Sequence, residues 1–126
     1  MTKQSAIEVA HRFIETFNAQ DHEGLADTLN YPHTRLALGR FATIETCDDF
    51  IAISKRGQSR LADEGWHHTE VASLEVVHEG ENKVHLAITN LRCREDGTTY
   101  NTFDTLWIAT LIDGHWGIQF RSSYLR

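Results

Sequence analysis

Residues 107–120 run Trp-Ile-Ala-Thr-Leu-Ile-Asp-Gly-His-Trp-Gly-Ile-Gln-Phe, and this stretch decides the fold. Apolar and aromatic side chains flank the pair Asp113-Gly114 on both sides. An Asp-Gly pair is typical of a two-residue hairpin loop, because both central residues must reach positive φ. With this loop, Leu111 lies opposite Trp116. The stretch therefore predicts the last hairpin of an antiparallel sheet.

Two more turn signals divide the second half of the chain, namely Glu79-Gly80-Glu81-Asn82 and Asp96-Gly97. Between them, β-branched and aromatic residues alternate with polar ones, which is the period of a strand with one buried face. The short connections predict an antiparallel meander. We expect its four long strands at about 66–78, 83–95, 98–112 and 115–125.

The two Asp-Gly loops fix which side chains face the core. Both hairpins agree, and they place Trp107 between Leu86 and Phe120. The predicted core face carries Val84, Leu86, Ile88, Phe103, Trp107, Ala109, Trp116, Ile118 and Phe120. Towards its other end the same face turns polar, which predicts a pocket with an open mouth.

The loop before Lys83 is compatible with two registers. A two-residue loop puts Glu75 and Ser73 into the core, where an unpaired carboxylate is costly to bury. We therefore prefer a three-residue loop, which brings Glu70 opposite Arg92. The predicted pocket residues of the four strands are then Trp66, His68, Glu70, Asn90, Arg92, Asn101, Phe103, Thr105, Trp107, Ser122 and Tyr124.

The aromatic members of this set have two interpretations. Trp66, Trp107 and Tyr124 suit an aromatic or terpenoid-like ligand, and they suit ordinary core packing equally well. For Trp107, which is predicted between Leu86 and Phe120, core packing is favoured.

A short strand after Pro32 leaves a similar choice open. His33 and Arg35 alternate on one of its faces. If that face is turned inward, they add an imidazole and an anion-binding guanidinium to the pocket. If it is turned outward, they are solvated and Leu36 and Leu38 fill the core. The aliphatic pair favours the outward orientation.

The opposite face of the sheet is too apolar to be wholly solvated, and we expect a second copy of the chain to cover it. It carries His85, Ala87, Leu91, Cys93, Tyr100, Leu106, Ile108, Gln119 and Arg121. Asp104 lies diagonally across from Arg121 and can pair with it. The predicted homodimer face is therefore Asp104, Leu106, Ile108, Gln119 and Arg121.

The first half of the chain has helical periodicity. A first helix is expected to end at about Asn18. Asp21 can cap a short second helix that carries Leu29 and ends before Pro32, since proline disfavours the helical conformation in the residue before it. Thr46 can cap a third helix.

Composition predicts one cytoplasmic domain over residues 1–126. The chain has 18 acidic and 12 basic residues, a formal charge of −6, and no basic run, which argues against nucleic-acid binding. No apolar stretch approaches the length of a membrane span, and neither signal peptide nor membrane contact is expected. The two isolated cysteines fit a reducing compartment.

The candidate catalytic residues are Glu70, His68 and Arg92. Glu70 could act as a general base steered by the guanidinium of Arg92, with His68 as a second proton-transfer group. The competing interpretation is a structural ion pair at the wet end of a sheet, worth about 0–1 kcal/mol when exposed. Structural pairs also perturb pKa values, and they are the commoner case.

No metal or cofactor is expected. His67 and His68 are adjacent on a strand and point to opposite faces, and no histidine pair has helical ligand spacing. Cys47 is predicted at a helix start beside Asp48 and Asp49, which oppose thiolate formation. No flavin, nicotinamide, haem or nucleotide site is visible in the sequence.

The order of elements, with Phe17-Asn18-Ala19-Gln20-Asp21 between the first helices and Asp113-Gly114-His115-Trp116-Gly117-Ile118 in the last hairpin, resembles the nuclear transport factor two-like superfamily. Within this superfamily, the chain resembles the SnoaL-like, or polyketide cyclase-like, members. The resemblance implies an α+β, cystatin-like cone, with three N-terminal helices on a strongly curved, mostly antiparallel sheet. It also implies a cavity between helices and sheet, and dimerisation through the outer sheet face.

Activity does not follow from this fold, which hosts enzymes and non-catalytic binders alike. The carboxylate and tyrosine of the ketosteroid isomerase-like members have no counterpart that we can place here, and Glu70 with Arg92 imitates only part of the epoxide hydrolase-like arrangement. Two hypotheses stay open. The chain is either a cofactor-free acid–base isomerase, hydratase or cyclase acting on a small apolar or aromatic molecule, or a non-catalytic binding module.

Overall fold

Three helices and a six-stranded sheet make up the structure, a computed structural model that describes residues 2–125. The helices are α1 (Thr2–Asn18), α2 (His22–Asp27) and α3 (Cys47–Asp63). The strands are β1 (Leu29–Ala37), β2 (Arg40–Ile44), β3 (His68–Glu79), β4 (Lys83–Cys93), β5 (Thr99–Ile112) and β6 (His115–Ser123). Their order across the sheet is β2-β1-β6-β5-β4-β3, and only the β1–β6 pair is parallel. The α+β prediction is confirmed.

Helices α2 and α3 begin where the sequence predicts, whereas α1 begins at Thr2. The Asp21 carboxylate accepts a backbone N–H at the start of α2, and the Thr46 hydroxyl does the same at the start of α3. The predicted extent of the second helix is wrong, because α2 ends at Asp27. Leu29 instead opens β1 and lies opposite Ile118 of β6, so strand pairing with a distant part of the chain overrides the local helical pattern.

The three hairpins of the meander contain pairs of the predicted register. Leu111 lies opposite Trp116, Leu86 opposite Trp107, and Val76 opposite Leu86. The last of these pairs belongs to the three-residue loop that we preferred before Lys83. At Asp113-Gly114 the predicted pairing begins directly at the turn. Beside the other two loops the pairing is offset by one residue, with Glu79 opposite Val84 and Cys93 opposite Thr99, and irregularities at Val77 and Tyr100 restore the predicted register.

Two further β-bulges change the faces at a greater distance from the loops. Ala72 of β3 and Gln119 of β6 are each an extra residue with no partner in the ladder. Because side chains alternate along a strand, one extra residue exchanges the two faces beyond it. In β3 this turns Glu70 to the outer face, and in β6 it turns Phe120 outward and Arg121 inward. The predictions for these three residues are wrong for this reason.

The core lies between the inner face of the sheet and the three helices. Its centre is formed by α1 on β4 and β5, where Phe13 stacks at a tilt on Trp107 with ring centroids 4.6 Å apart. Leu86 and Ile118 are fully buried beneath them. Within residues 2–125, no helix is long and apolar enough to cross a bilayer.

Candidate functional site

A cavity opens between α1 and the polar end of the inner sheet face. Its deep chamber has a volume of about 50 Å³. The apolar walls are Phe13, Ile14, Phe17, Phe103, Trp107 and Leu125. The polar side chains are Arg35, Thr69, Asn90, Arg92, Thr105, Arg121 and Ser123.

An adjoining chamber of about 250 Å³ extends outward beneath α3. The two chambers share Phe13, Phe17, Arg35, Arg92 and Arg121 as lining residues. The shared residues lie on three strands and on the first helix. The cavity is therefore a product of the tertiary fold and of no single segment.

The first strand turns His33 and Arg35 inward. Arg35 lies opposite Arg121 in the parallel β1–β6 ladder, and His33 lies opposite Ile44 of β2. The outward orientation that Leu36 and Leu38 favour is wrong. Pairing with β6 places Arg35 on the core face, while Leu36 shares the outer face and Leu38 stands exposed in the turn after β1.

His33 is completely buried behind the cavity wall. Its Nδ1 donates to the backbone oxygen of Ile118 at 2.9 Å, and its Nε2 accepts the Nε–H of Arg121 at 3.0 Å. Burial, reinforced by the charge of Arg121, lowers the pKa of His33 to about 3. The imidazole is thus neutral, with its single proton on Nδ1, and it orients the guanidinium of Arg121.

Arg121 has no carboxylate partner among the described residues. Its guanidinium lies over the ring of Phe13, 5.0 Å from the centroid, and donates to His33. Burial and the nearby charge of Arg35 lower the pKa of Arg121 to about 9. The ion pair predicted with Asp104 is wrong, because the bulge turns Arg121 into the cavity and Asp104 accepts from Thr89 on the outer face.

Arg92 is paired, but with a different carboxylate from the one predicted. Its Nη1 donates to Oε1 of Glu64 at 2.8 Å, and the hydroxyl of Tyr100 donates to the same oxygen at 2.6 Å. The guanidinium also lies 5.7 Å from the ring centroid of Phe103. Glu64 follows α3 directly, and no spacing in the sequence relates it to β4.

Asn90 is an unusual polar group in the cavity wall. Its Oδ1 is buried and has no hydrogen-bond partner among the described residues. Its neighbours are satisfied: Thr105 donates to the backbone oxygen of Ser122, and the indole N–H of Trp107 donates to Thr105. A free acceptor of this kind can receive an N–H or O–H of a bound molecule.

The family model for "NTF2-like protein (DUF6841)" matches residues 4–121 of the chain. The chain belongs to this family. No curated protein matches it in sequence.

Solved NTF2-like structures share the fold of this NTF2-like protein. One from Novosphingobium aromaticivorans, with a cystatin-like fold, is 16% identical with a TM-score of 0.77, over 98% of this chain and 81% of its own. One from Shewanella oneidensis is 15% identical with a TM-score of 0.76, and the match covers 97% of this chain and 98% of the other chain. One from Cytophaga hutchinsonii is 15% identical with a TM-score of 0.75, over 98% of each chain. The predicted cystatin-like class is confirmed.

The NTF2-like chain does not bring the three candidate catalytic residues together. Arg92 faces the cavity, whereas His68 and Glu70 lie on the outer face beside Cys93, on the other side of the sheet. The Nε2 of His68 is 2.8 Å from Oε2 of Glu70. This hydrogen bond lowers the pKa of Glu70, a carboxylate on the protein surface.

His68, Glu70 and Cys93 are the described residues that could hold a metal ion. One ligand atom from each lies within 4.8 Å of the others, and these are side chains that zinc binds. Burial raises the pKa of the Cys93 thiol, so a metal would have to displace its proton. The sequence analysis did not reveal this group, because the bulge at Ala72 is what brings His68 and Glu70 to the same face of the sheet as Cys93.

Two further predicted pocket residues of the NTF2-like protein lie beside the cavity. Trp66 packs edge-on against Phe17, with centroids 5.2 Å apart, and donates its indole N–H to Thr69. Asn101 lines a separate depression with Glu64. Asn101 lines neither chamber of the cavity, so its predicted placement in the pocket is wrong.

The bulge in β6 also displaces Ser122 and Tyr124. Ser122 lies opposite Leu106 on the outer face, and Ser123 takes its place in the cavity. Tyr124 is 70% exposed and lines an outer-face depression that includes Leu106. The predictions for both residues fail by one position along the strand. By contrast, the structure places Arg35, Asn90, Phe103, Thr105 and Trp107 along the cavity.

Sequence reasoning missed several residues that line the cavity, and three of them are Phe13, Phe17 and Arg121. Phe13 and Phe17 appear in the sequence only as part of the apolar stripe of α1, and a stripe does not reveal which members reach a cavity. Arg121 was assigned to the wrong face. Of the three, only Arg121 carried a usable signal, since a guanidinium amid an apolar strand is a feature that requires a partner.

Proposed function

We propose that this NTF2-like protein binds a small molecule with an apolar, aromatic-sized body in the cavity between α1 and the sheet. The observation that carries the proposal is the set of aromatic walls, Phe13, Phe103 and Trp107, around a space that protein side chains leave open. Aromatic and apolar walls with a few convergent polar groups are typical of small-molecule sites. The SnoaL-like subtype remains a proposal that rests on the sequence resemblance.

Binding without catalysis is the hypothesis that the cavity supports best. Among the described residues, no carboxylate and no imidazole lines either chamber. Both nitrogens of His33 are already in hydrogen bonds, and Glu64 accepts from Arg92 and Tyr100. Acid–base turnover needs a group within reach of the ligand's proton. The acid–base hypothesis therefore requires a residue that moves into the cavity upon binding.

We also propose, as the sequence indicated, that the chain forms a homodimer through the outer sheet face. Three observations support this. Leu106 and Ile108 lie at the centre of that face, the bulge adds Phe120 to it, and Phe41 next to Phe120 is 68% exposed. A contiguous apolar face of this kind usually contacts another protein surface. A second copy presents the same face, so the two are self-complementary.

The binding proposal is tested by blocking the cavity. Ser123→Phe puts a ring into the deep chamber, whereas Thr102→Phe adds the same ring at an exposed position of β5. We expect indole and benzyl alcohol to shift the amide NMR signals of β4 and β5 in the wild type and in Thr102→Phe, and to lose this effect in Ser123→Phe.

Thermal unfolding of both variants shows whether they are folded. If Ser123→Phe fails to fold, Leu125→Trp blocks the mouth of the same chamber and takes its place. The proposal is overturned if neither probe shifts the wild-type signals, or if the shifts persist in a folded, blocked variant.

A further inference from the structure

The cavity is positively charged in a negatively charged protein. Arg35, Arg92 and Arg121 line both chambers, and Arg60 lines the outer one. No described Asp or Glu lines either chamber, although the chain as a whole carries a formal charge of −6. The acidic residues therefore lie elsewhere, and the field inside the cavity has the opposite sign to that of the whole molecule.

Two of these cations lack a countercharge. Glu64 neutralises Arg92, but neither Arg35 nor Arg121 forms an ion pair with a described residue. Arg35 and Arg121 are also direct partners in the β1–β6 ladder, so two like charges face each other on the half-buried side of the sheet. Like charges in that position are destabilising, and a buried charge requires a partner. An anion between the two guanidiniums would remove both penalties.

The other groups that line the cavity indicate which chemical groups the rest of the ligand should carry. Phe13 and Trp107 form an aromatic wall directly beside Arg121. Asn90 offers a buried oxygen that receives no hydrogen bond from any described residue. The Nε–H of Arg121 is committed to His33, which leaves the terminal nitrogens of the guanidinium for a planar, two-oxygen partner. A carboxylate matches this fork, and a singly charged group is less costly to bring into an apolar chamber than a phosphate dianion.

We propose that the ligand of this cavity is an aromatic carboxylic acid, with its carboxylate between Arg35 and Arg121, its ring against Phe13 and Trp107, and a hydroxyl group donating to Asn90. This inference rests on the proposed function and names the chemical class that the same site takes. An anionic ligand also explains why the chain maintains cations in a cavity that no described acidic residue lines.

Isothermal titration with matched probes tests the inference. 4-Hydroxybenzoate and 4-hydroxybenzamide have nearly the same shape and differ in charge. We expect the acid to bind the wild type at least tenfold more tightly than the amide, because charge-assisted hydrogen bonds are the stronger ones. Benzoate, which lacks the hydroxyl donor, should bind several-fold more weakly than 4-hydroxybenzoate.

Arg35→Gln should reduce binding of the acid at least tenfold and leave binding of the amide within about twofold. Arg40→Gln, at the exposed start of β2 and outside the lining of both chambers, is the matched control and should change neither. Raising the ionic strength should weaken binding of the acid and leave binding of the amide unchanged. Since Arg121 also bonds to His33, Arg121→Gln serves as a second variant, with thermal unfolding to show that it is folded.

The outcomes separate the two proposals. If the acid and the amide bind equally well, the inference is overturned and the binding proposal stands. If phenyl phosphate binds more tightly than 4-hydroxybenzoate, the carboxylate class is overturned. If none of these probes binds and neutral indole does not bind either, the proposed function fails as well.

Discussion

His33 shows how one buried side chain couples the cavity to the stability of the fold. It donates to Ile118 of β6 and accepts from Arg121, so it connects the first strand to the last one and orients a cavity guanidinium. This arrangement requires a neutral ring, because a second ring proton would have no acceptor and would face the charge of Arg121. Protonation of His33 is therefore incompatible with the native packing.

Stability should fall in acid because of His33. Its pKa is about 3 in the folded state and about 6.5 in the unfolded state, so the unfolded state binds more protons between these values. The free energy of unfolding then rises with pH across this window. The contribution is fully present above about pH 6.5 and is lost as the pH falls towards 3, with a slope of at most ~1.4 kcal/mol per pH unit.

Urea unfolding from pH 7 to pH 4 measures this slope. Between pH 6.5 and 4, the wild type should lose stability more steeply than His33→Gln, whose side chain cannot titrate. His85→Gln is the matched control, since His85 is only half-buried and its removal should leave most of the slope in place. Parallel curves for the wild type and His33→Gln would contradict the assignment.

At the scale of elements, the parallel contact between β1 and β6 depends on Gly117. A Cβ at this position would lie 2.6 Å from the backbone carbon of Leu29 and 2.7 Å from the backbone nitrogen of Asn30. Both are backbone atoms, so no side-chain rotation can relieve the clash. The close approach lets Ile118 reach its partners in β1, which in turn aligns Arg35 with Arg121.

Gly117→Ala should therefore destabilise the protein by about 1–3 kcal/mol, the usual cost of inserting a methyl group into a filled space. Gly80→Ala is the control, because the nearest atom to a Cβ there is at an ordinary contact distance of 3.5 Å. Chemical denaturation of both variants gives the comparison. Equal stability of Gly117→Ala and the wild type would show that the two strands can separate without cost.

At the scale of the whole molecule, the two faces of the sheet have different roles. The inner face binds the helices and encloses the cavity, while the outer face exposes an apolar surface that the proposed dimer would cover. Light scattering should give a mass of twice the 14.4 kDa of the chain at micromolar concentration. Leu106→Arg, at the centre of the outer face, should reduce this to the mass of one chain, because a charge would be buried in the interface.

Leu38→Arg is the control for this experiment. Leu38 is 61% exposed, but it lies in the turn between β1 and β2, so the substitution should leave the mass unchanged. A wild-type mass of one chain would overturn the dimer proposal, and it would leave the cavity and its ligand untouched.

The sequence by itself determined the elements, the order of the meander and the family. Local signals carry this information: Asp21 and Thr46 cap helices with their own side chains, and Asp113-Gly114 imposes a turn on the residues next to it. The pair Leu111 and Trp116 followed from the last turn because one residue on each strand separates it from the loop.

Only the tertiary structure decided which residues of the cavity carry charge. Each bulge inserts one residue at a position that no turn specifies, and a shift of one residue reverses every face beyond it. That reversal moved Glu70 out of the predicted site and Arg121 into it. Likewise, the orientation of His33 and Arg35 depends on a parallel partner more than 80 residues away, and a local periodicity cannot encode a contact of that range.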